Sequence, residues 1–304
     1  MDMPNVRPIK SNDEKLFYDY LKKSKVGKLS FENNWPYIIQ STRDTGFVYE
    51  KDGSILYFRP KDNQLVVVNR LGKDRQQILS NFIADTKEKC SILVKNVDLK
   101  ELEDLKAVGF IETTEPWSKF SFRDDNTFPE YVSDFDSILN LKPDSVRHST
   151  IRVIRKFKKE QGIVSSDYSK DHENEDRKLL RDYADHLNKK GAENSKEVID
   201  AHNFFFSEEI ENKQRFSHFN DGKLIAVSFY TPMDIVTFAN AIINKNQSNL
   251  MRYLLWEGLR CLKEKLIHTR LLSLQGSENV GQDFLKRSFK RVDTIKKTHV
   301  VYQI

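Results

Sequence analysis

The chain has almost no cysteine. Cys90 and Cys261 are the two present in 304 residues. They lie far apart, each inside an apolar-patterned segment, so a disulfide framework is excluded and reduced, buried thiols are expected. Metal-ligand spacing is lacking too. The seven histidines show no HxxxH and no CxxC occurs, so no metal is expected. There is no GxSxG elbow, P-loop or GxGxxG, which removes support for hydrolase, NTPase and dinucleotide-binding readings. No apolar run approaches the roughly 18 residues that a membrane helix needs. The opening MDMPNVRPIKSNDEK has no signal-peptide core. A soluble, cytoplasmic protein with no tightly bound cofactor is expected.

What is present is length and charge. At 304 residues the chain is long for one core and comfortable for two. Hydrophobic residues make up 38% and support globular folding, while charged residues reach 31% and demand a well-solvated surface. Fifty Lys and Arg against 45 Asp and Glu leave a net charge of +5, a mild preference for anionic partners unless it is concentrated somewhere.

The order of elements repeats. In the first half a helix is predicted at Asn12–Lys23, followed by an aromatic segment, Leu29–Thr42, broken at Pro36. Strands at 47–49 and 55–58 flank Asp52-Gly53, a tight-turn signature. A strand at 65–68, a helix at 74–89, a strand at 91–94, a helix at 99–107 and a strand from Phe110 complete the set. In the second half strands at 215–219 and 224–230 flank Asp221-Gly222. A strand at 235–242, a helix at 249–265, a strand at 271–274, a helix at 280–289 and a strand at 300–302 follow. Hairpin, strand, helix, strand, helix, strand thus occurs twice, which predicts two mixed α/β units, residues 1–128 and 129–304, with the junction near Asp124–Pro129. A helical block from Lys142 to about Asn212 has no counterpart of that length in the first half.

The opening helix of that block, residues 142–160, carries the main charge feature. Val146, Thr150, Val153 and Phe157 form an apolar stripe, and His148, Arg152, Arg155 and Lys159 repeat the same spacing on the other side. A continuous basic face suits a polyanion such as phosphates of a tRNA acceptor stem, of coenzyme A or of an anionic headgroup. The alternative is a solvated face paired with acids such as Asp171 and Glu173.

Near the carboxyl end, the Leu271–Leu274 strand runs into Gln275-Gly276-Ser277-Glu278 and then a helix whose Phe284, Leu285 and Phe289 share one face. A strand that stops at a small-residue turn and feeds a helix offers backbone N–H groups and short polar side chains at a sheet edge. The run GSENVGQDFLKRSF, with the Val- and Tyr-rich strand after it, resembles the last third of the FemAB-like and lysylphosphatidylglycerol-synthase-C-terminal-like proteins. Arg147, Arg152, Arg155, Lys156 and Phe157 are similar to the basic helix of the latter family. The resemblance runs from about Leu29 to the end, and these two blocks are its specific parts.

That resemblance implies two GNAT-like units in tandem, each a mixed, mostly antiparallel sheet flanked by helices, the first mainly structural and the second an acyl- or aminoacyltransferase acting on an amine. Acetyl-CoA-binding GNAT proteins place a glycine-containing loop where the hairpin meets the next helix. Here that place reads Asn244 to Leu250 without glycine, so side chains would crowd a pyrophosphate, and aminoacyl-tRNA is favoured over acyl-CoA as donor. Expected donor ligands are Arg147, His148, Arg152, Arg155, Lys156, Lys159, Gln247 and Ser248. Expected catalytic residues are Glu278, Ser277 and Ser273, with Glu278 as proton acceptor or, alternatively, a loop acid or helix-cap partner. Gln275, Gly276 and Asn279 would line the acceptor pocket. The rivals are an acyl-CoA-dependent N-acyltransferase with a degenerate loop and a non-catalytic pair serving as a binding module.

Overall fold

The computed structural model describes residues 3–10, 12–24, 29–42, 45–86, 90–113, 129–160, 162–189, 195–206, 213–244, 249–266, 268–275 and 280–304. They form two compact units. One is built from the amino-terminal part of the chain together with Lys296–Ile304, the other from the sequence between, up to Ile295.

The described strands of the first unit form a seven-stranded sheet. In chain order its elements are β1 (Val6–Pro8), α1 (Asp13–Lys23), α2 (Trp35–Thr42), β2 (Phe47–Lys51), β3 (Ser54–Lys61), β4 (Gln64–Gly72), α3 (Arg75–Asp85), β5 (Ser91–Asp98), α4 (Leu99–Ala107) and β6 (Ile111–Thr113). The β2–β3 turn places Asp52 and Gly53 at φ 52° and 74°, the left-handed pair that such a hairpin needs. Alternation along β3 sends Leu56 and Phe58 to a core with Ile78, Leu79 and Phe82 of α3. Tyr57 goes to the other face, against Phe17 and Trp35. Pro36 falls in the first turn of α2, where its missing N–H is not required, and Asn34 accepts from the Tyr37 N–H at 3.2 Å. The aromatic segment therefore continues as a helix instead of breaking.

The second unit runs β7 (Glu130–Asp134), α5 (Phe135–Leu139), α6 (His148–Glu160), β8 (Val164–Asp167), α7 (Glu173–Lys189), α8 (Ser195–Phe206), β9 (Gln214–Asn220), β10 (Lys223–Met233), β11 (Val236–Asn244), α9 (Leu250–Lys263), β12 (Leu271–Ser273), α10 (Val280–Lys286) and β13 (Arg291–Ile295). The described strands are ordered β13-β7-β12-β11-β10-β9-β8. Asp221 and Gly222, at φ 50° and 70°, make the second tight hairpin. Leu179, Leu180 and Phe205 of α7 and α8 pack with Val227, Phe229 and Ile243. Leu255, Leu259 and Leu262 of α9 pack with Phe216, Tyr230 and Leu272.

Three differences from expectation have physical causes. The last strand, β14 (Lys297–Gln303), pairs with β5 and β6 in the first unit's sheet, whereas a boundary at 128/129 assigned it to the second. Pairing is a long-range choice that strand propensity does not specify. The helical block is interrupted by β8, a polar edge strand on β9, and β13 is likewise too charged to show alternation. Finally, α10 ends at Lys286, not Phe289, because Arg147 N donates to Ser288 O at 3.0 Å and Lys290 N donates to Ser145 O at 2.6 Å. Those bonds pull residues 288–290 into an antiparallel bridge with Val146.

Candidate functional site

Both sheets part at the same place. In the first, β4 and β5 pair in parallel from Gln64↔Ser91 to Val67↔Val94, although β4 runs on to Gly72. In the second, β11 and β12 pair from Val236↔Leu271 to Phe238↔Ser273, while β11 runs on to Asn244. Each splay adjoins a bulge on the hairpin side. Val68 lies between the pairs Tyr57↔Asn69 and Phe58↔Val67, and Asn240 between Phe229↔Ala241 and Tyr230↔Ala239. A bulge leaves ladder groups unpaired and re-aims side chains, a common setting for a binding site.

The first splay is used by the protein itself. Asn69 Nδ2 donates to Glu32 O at 2.6 Å, Asn96 Nδ2 donates to Tyr37 Oη at 2.6 Å, and Lys297 Nζ ion-pairs with Glu32 at 2.5 Å. Residues 30–37 thus hold β4, β5 and β14 together. The α3 amino terminus is also satisfied, since Asp74 accepts from the Gln76 and Gln77 N–H groups at 3.0 and 2.9 Å. An anion brought there would meet a carboxylate already in place.

The second unit differs. Its α9 opens on Asn249 at φ 66°, whose side chain makes no capping bond to the helix and accepts from Arg252 at 3.2 Å. The same unit has a cleft of about 660 Å³ lined by Tyr131, by residues 143–148 and by Arg287, Phe289, Lys290 and Arg291. Arg147, His148, Arg287, Lys290 and Arg291 are exposed in it, against one carboxylate, Asp144, among the described lining residues. Arg287 Nε donates to Tyr131 Oη at 3.1 Å and pairs with Asp283 at 2.6 Å, and Tyr131 Oη donates to Asp283 Oδ1 at 2.6 Å. Burial, then the bond to Asp283, raises the Tyr131 pKa, so the phenol stays protonated at neutral pH. The Arg147 and Arg252 guanidiniums lie 5.8 and 5.7 Å from the Phe284 ring centroid.

No protein-family model matches the sequence, and no curated protein matches it. Solved structures do. A conserved protein of unknown function from Bacteroides thetaiotaomicron aligns over 99% of this chain and 100% of its own, at 17% identity and TM-score 0.73. L-PGS from Bacillus licheniformis aligns over 96% and 92%, at 12% identity and TM-score 0.63. A tandem GNAT protein from the clavulanic acid biosynthesis pathway aligns over 98% of each chain, at 11% identity and TM-score 0.55. The chain has the tandem GNAT fold.

In the second GNAT-like unit the expected site residues separate into groups. Arg147, His148, Arg152, Arg155, Lys156 and Lys159 are all exposed on or beside α6, and Arg147 and His148 open into the cleft. The pairing partners considered for this stripe are engaged elsewhere: Asp171 accepts from Ser169 at 2.8 Å, and Glu173 pairs with Arg177 at 2.6 Å. Ser273 has no exposed surface and its Oγ accepts from the Gln275 N–H at 3.4 Å, so it serves the strand end instead of facing a ligand. Gln275, at φ 61°, stands where β12 leaves β11, with its carbonyl accepting from Tyr131 N at 3.4 Å. Gln247, Ser248, Gly276, Ser277, Glu278 and Asn279 lie outside the described residues.

Sequence reasoning missed Tyr131, Asn240, Arg252, Lys290 and Arg291. Asn240 lies two residues beyond the last β11–β12 pair, Phe238↔Ser273, and accepts from Thr231 Oγ1 at 2.8 Å. Its only sequence signal is a polar residue in an apolar strand. Helical spacing leaves Lys290 in the last turn of a helix and says nothing of Arg291; the bridge of Phe289 to Val146 and the pairing of Arg291 with Ser133 place both at the cleft.

Proposed function

We propose that the second unit binds a phosphate-bearing acyl or aminoacyl donor in the cationic cleft and passes its activated group to an amine. The observation that carries this reading is the convergence of Arg147, Arg287, Lys290 and Arg291 on one cleft, in a unit whose β11 and β12 also splay next to a bulge. In such a transfer the amine nitrogen bonds to the acyl carbon, the donor's C–O or C–S bond breaks, and the amine proton ends on the leaving hydroxyl or thiol. The donor is already activated, so positioning and a proton acceptor suffice. Glu278 is proposed for the proton. Cationic side chains near the reacting carbonyl would stabilise the developing oxyanion.

Aminoacyl-tRNA is the preferred donor. The basic face of α6 runs about 20 Å along the helix, which spans several backbone phosphates and exceeds what one coenzyme needs. Acyl-CoA is the second reading, favoured by the α9 amino terminus, which Asn249 leaves without a side-chain cap. The acceptor is proposed to be an amine; no described helix is long and apolar enough to cross a membrane.

The test is calorimetric titration of the full chain with aminoacyl-tRNA, deacylated tRNA and acetyl-CoA. Micromolar tRNA binding with a steep salt dependence supports the preferred donor. Saturable binding of acetyl-CoA alone shifts the assignment to the coenzyme. Absence of both removes the transferase proposal.

A further inference from the structure

The α10 helix presents an aromatic side chain that the core does not take. Phe289, drawn out of the helix into its bridge with Val146, is buried, whereas Phe284 stays on α10 and is 54% exposed. Here two guanidiniums lie 5.8 and 5.7 Å from the exposed ring's centroid, Arg147 from the turn before α6 and Arg252 from the first turn of α9. Among the described residues neither arginine makes an ion pair with an acid. Arg147 also lines the cleft, so platform and cleft share a residue.

We infer that Phe284 is the stacking platform for a nucleobase of the donor, with Arg147 and Arg252 beside the ring and the cleft taking the attached phosphates. The inference rests on the donor-binding reading above and adds a base subsite to it. Every base has a π-face that stacks on an aromatic ring or a guanidinium plane whatever its identity. Cations beside the ring hold the adjoining phosphate and stack in turn. The adenine of a coenzyme A thioester and the terminal adenosine of a single-stranded RNA share this chemistry, and both carry phosphate next to the base. A base-free polyanion would use the arginines and ignore the ring.

Three probes separate these cases in titrations of the full chain: inorganic pyrophosphate, coenzyme A and a short labelled single-stranded RNA ending in CCA. Phe284→Ala should weaken at least one base-bearing probe by about tenfold and leave pyrophosphate within twofold of the parent protein. Phe284→Trp should restore that affinity, with its indole fluorescence quenched as the base stacks. Arg147→Ala should weaken all probes that bind. Whichever base-bearing probe responds to Phe284→Ala names the source of the base. If pyrophosphate binds and Phe284→Ala changes neither coenzyme A nor RNA, the platform is refuted while the cleft stands. If pyrophosphate does not bind the parent protein, the cleft reading falls and the platform falls with it. Because Phe284 is more than half exposed, the alanine variant should melt with the parent protein, so lost binding is not lost folding.

Discussion

Asp176 on α7 has no exposed surface and lies among Tyr168, His172, Glu175 and Arg215, and burial lifts its carboxyl to about 6. His218 on β9 is equally buried, between the Ser165 and Ser228 hydroxyls at 2.8 and 2.9 Å, with Glu257 nearby, and burial lowers its imidazole to about 4. The two shifts act on stability with opposite sign. For Asp176 the folded state holds its proton longer, so its contribution is present below about 4 and lost as pH rises through about 6. For His218 the folded state resists its proton, so the contribution is present above about 6.5 and lost as pH falls through about 4. Each amounts to at most about 3 kcal/mol, and over the shared window they nearly cancel. Urea unfolding from pH 4 to 7 should therefore show a falling stability toward acid in Asp176→Asn and a rising one in His218→Gln. Parallel curves for both variants would refute the assignment.

Gly258 on α9 shows how close packing sets a residue. A Cβ there would sit 2.0 Å from the Tyr230 hydroxyl, too close for any real contact. Gly258→Ala should cost on the order of 2 kcal/mol despite the better helix propensity of alanine, as read by the denaturation midpoint.

At the scale of elements, α6 divides its labour cleanly. Ile151 and Ile154 are buried while Arg152, Arg155 and Lys159 are exposed, so charge can be removed without disturbing the core. Arg152→Ala combined with Arg155→Ala should weaken tRNA binding and reduce its log–log salt slope by about two, with the melting temperature unchanged. An unaltered slope would mean the stripe is only a solvated face. The α10 helix depends instead on one buried carboxylate. Asp283, 5% exposed, ties Tyr131 of β7 to Arg287. Asp283→Ala should destabilise by roughly 1–3 kcal/mol, because a buried phenol loses its acceptor. Tyr131→Phe in the same background should add little further cost, as a double-mutant cycle would show.

For the molecule as a whole, β14 matters out of proportion to its length. It sits between β5 and β6, with register from Lys297↔Asp98 to Gln303↔Ser91 on one side and His299↔Thr113 to Val301↔Ile111 on the other. Deleting residues 296–304 removes both ladders and the Val300 side chain from the first core. The first unit should then lose amide protection while the second keeps its own, measurable by hydrogen exchange. Equal protection in both units after the deletion would contradict this.

Local chemistry in the chain was enough to determine the two Asp-Gly hairpins, the repeated strand–helix order, the basic face of α6 and the breaking of β12 at Gln275. Each follows from turn geometry, helix period or strand period, which act over a few residues. Tertiary structure alone decided that β14 joins the first sheet, that residues 288–290 leave the helix to meet Val146, and that Phe284 stays exposed near Arg147 and Arg252. Those outcomes rest on pairings and contacts between segments more than a hundred positions apart in several cases, for which a periodic pattern carries no information. The same reason explains the cleft: Lys290 and Arg291 are ordinary cations until backbone bonds to Ser145 and Ser133 carry them to Arg147.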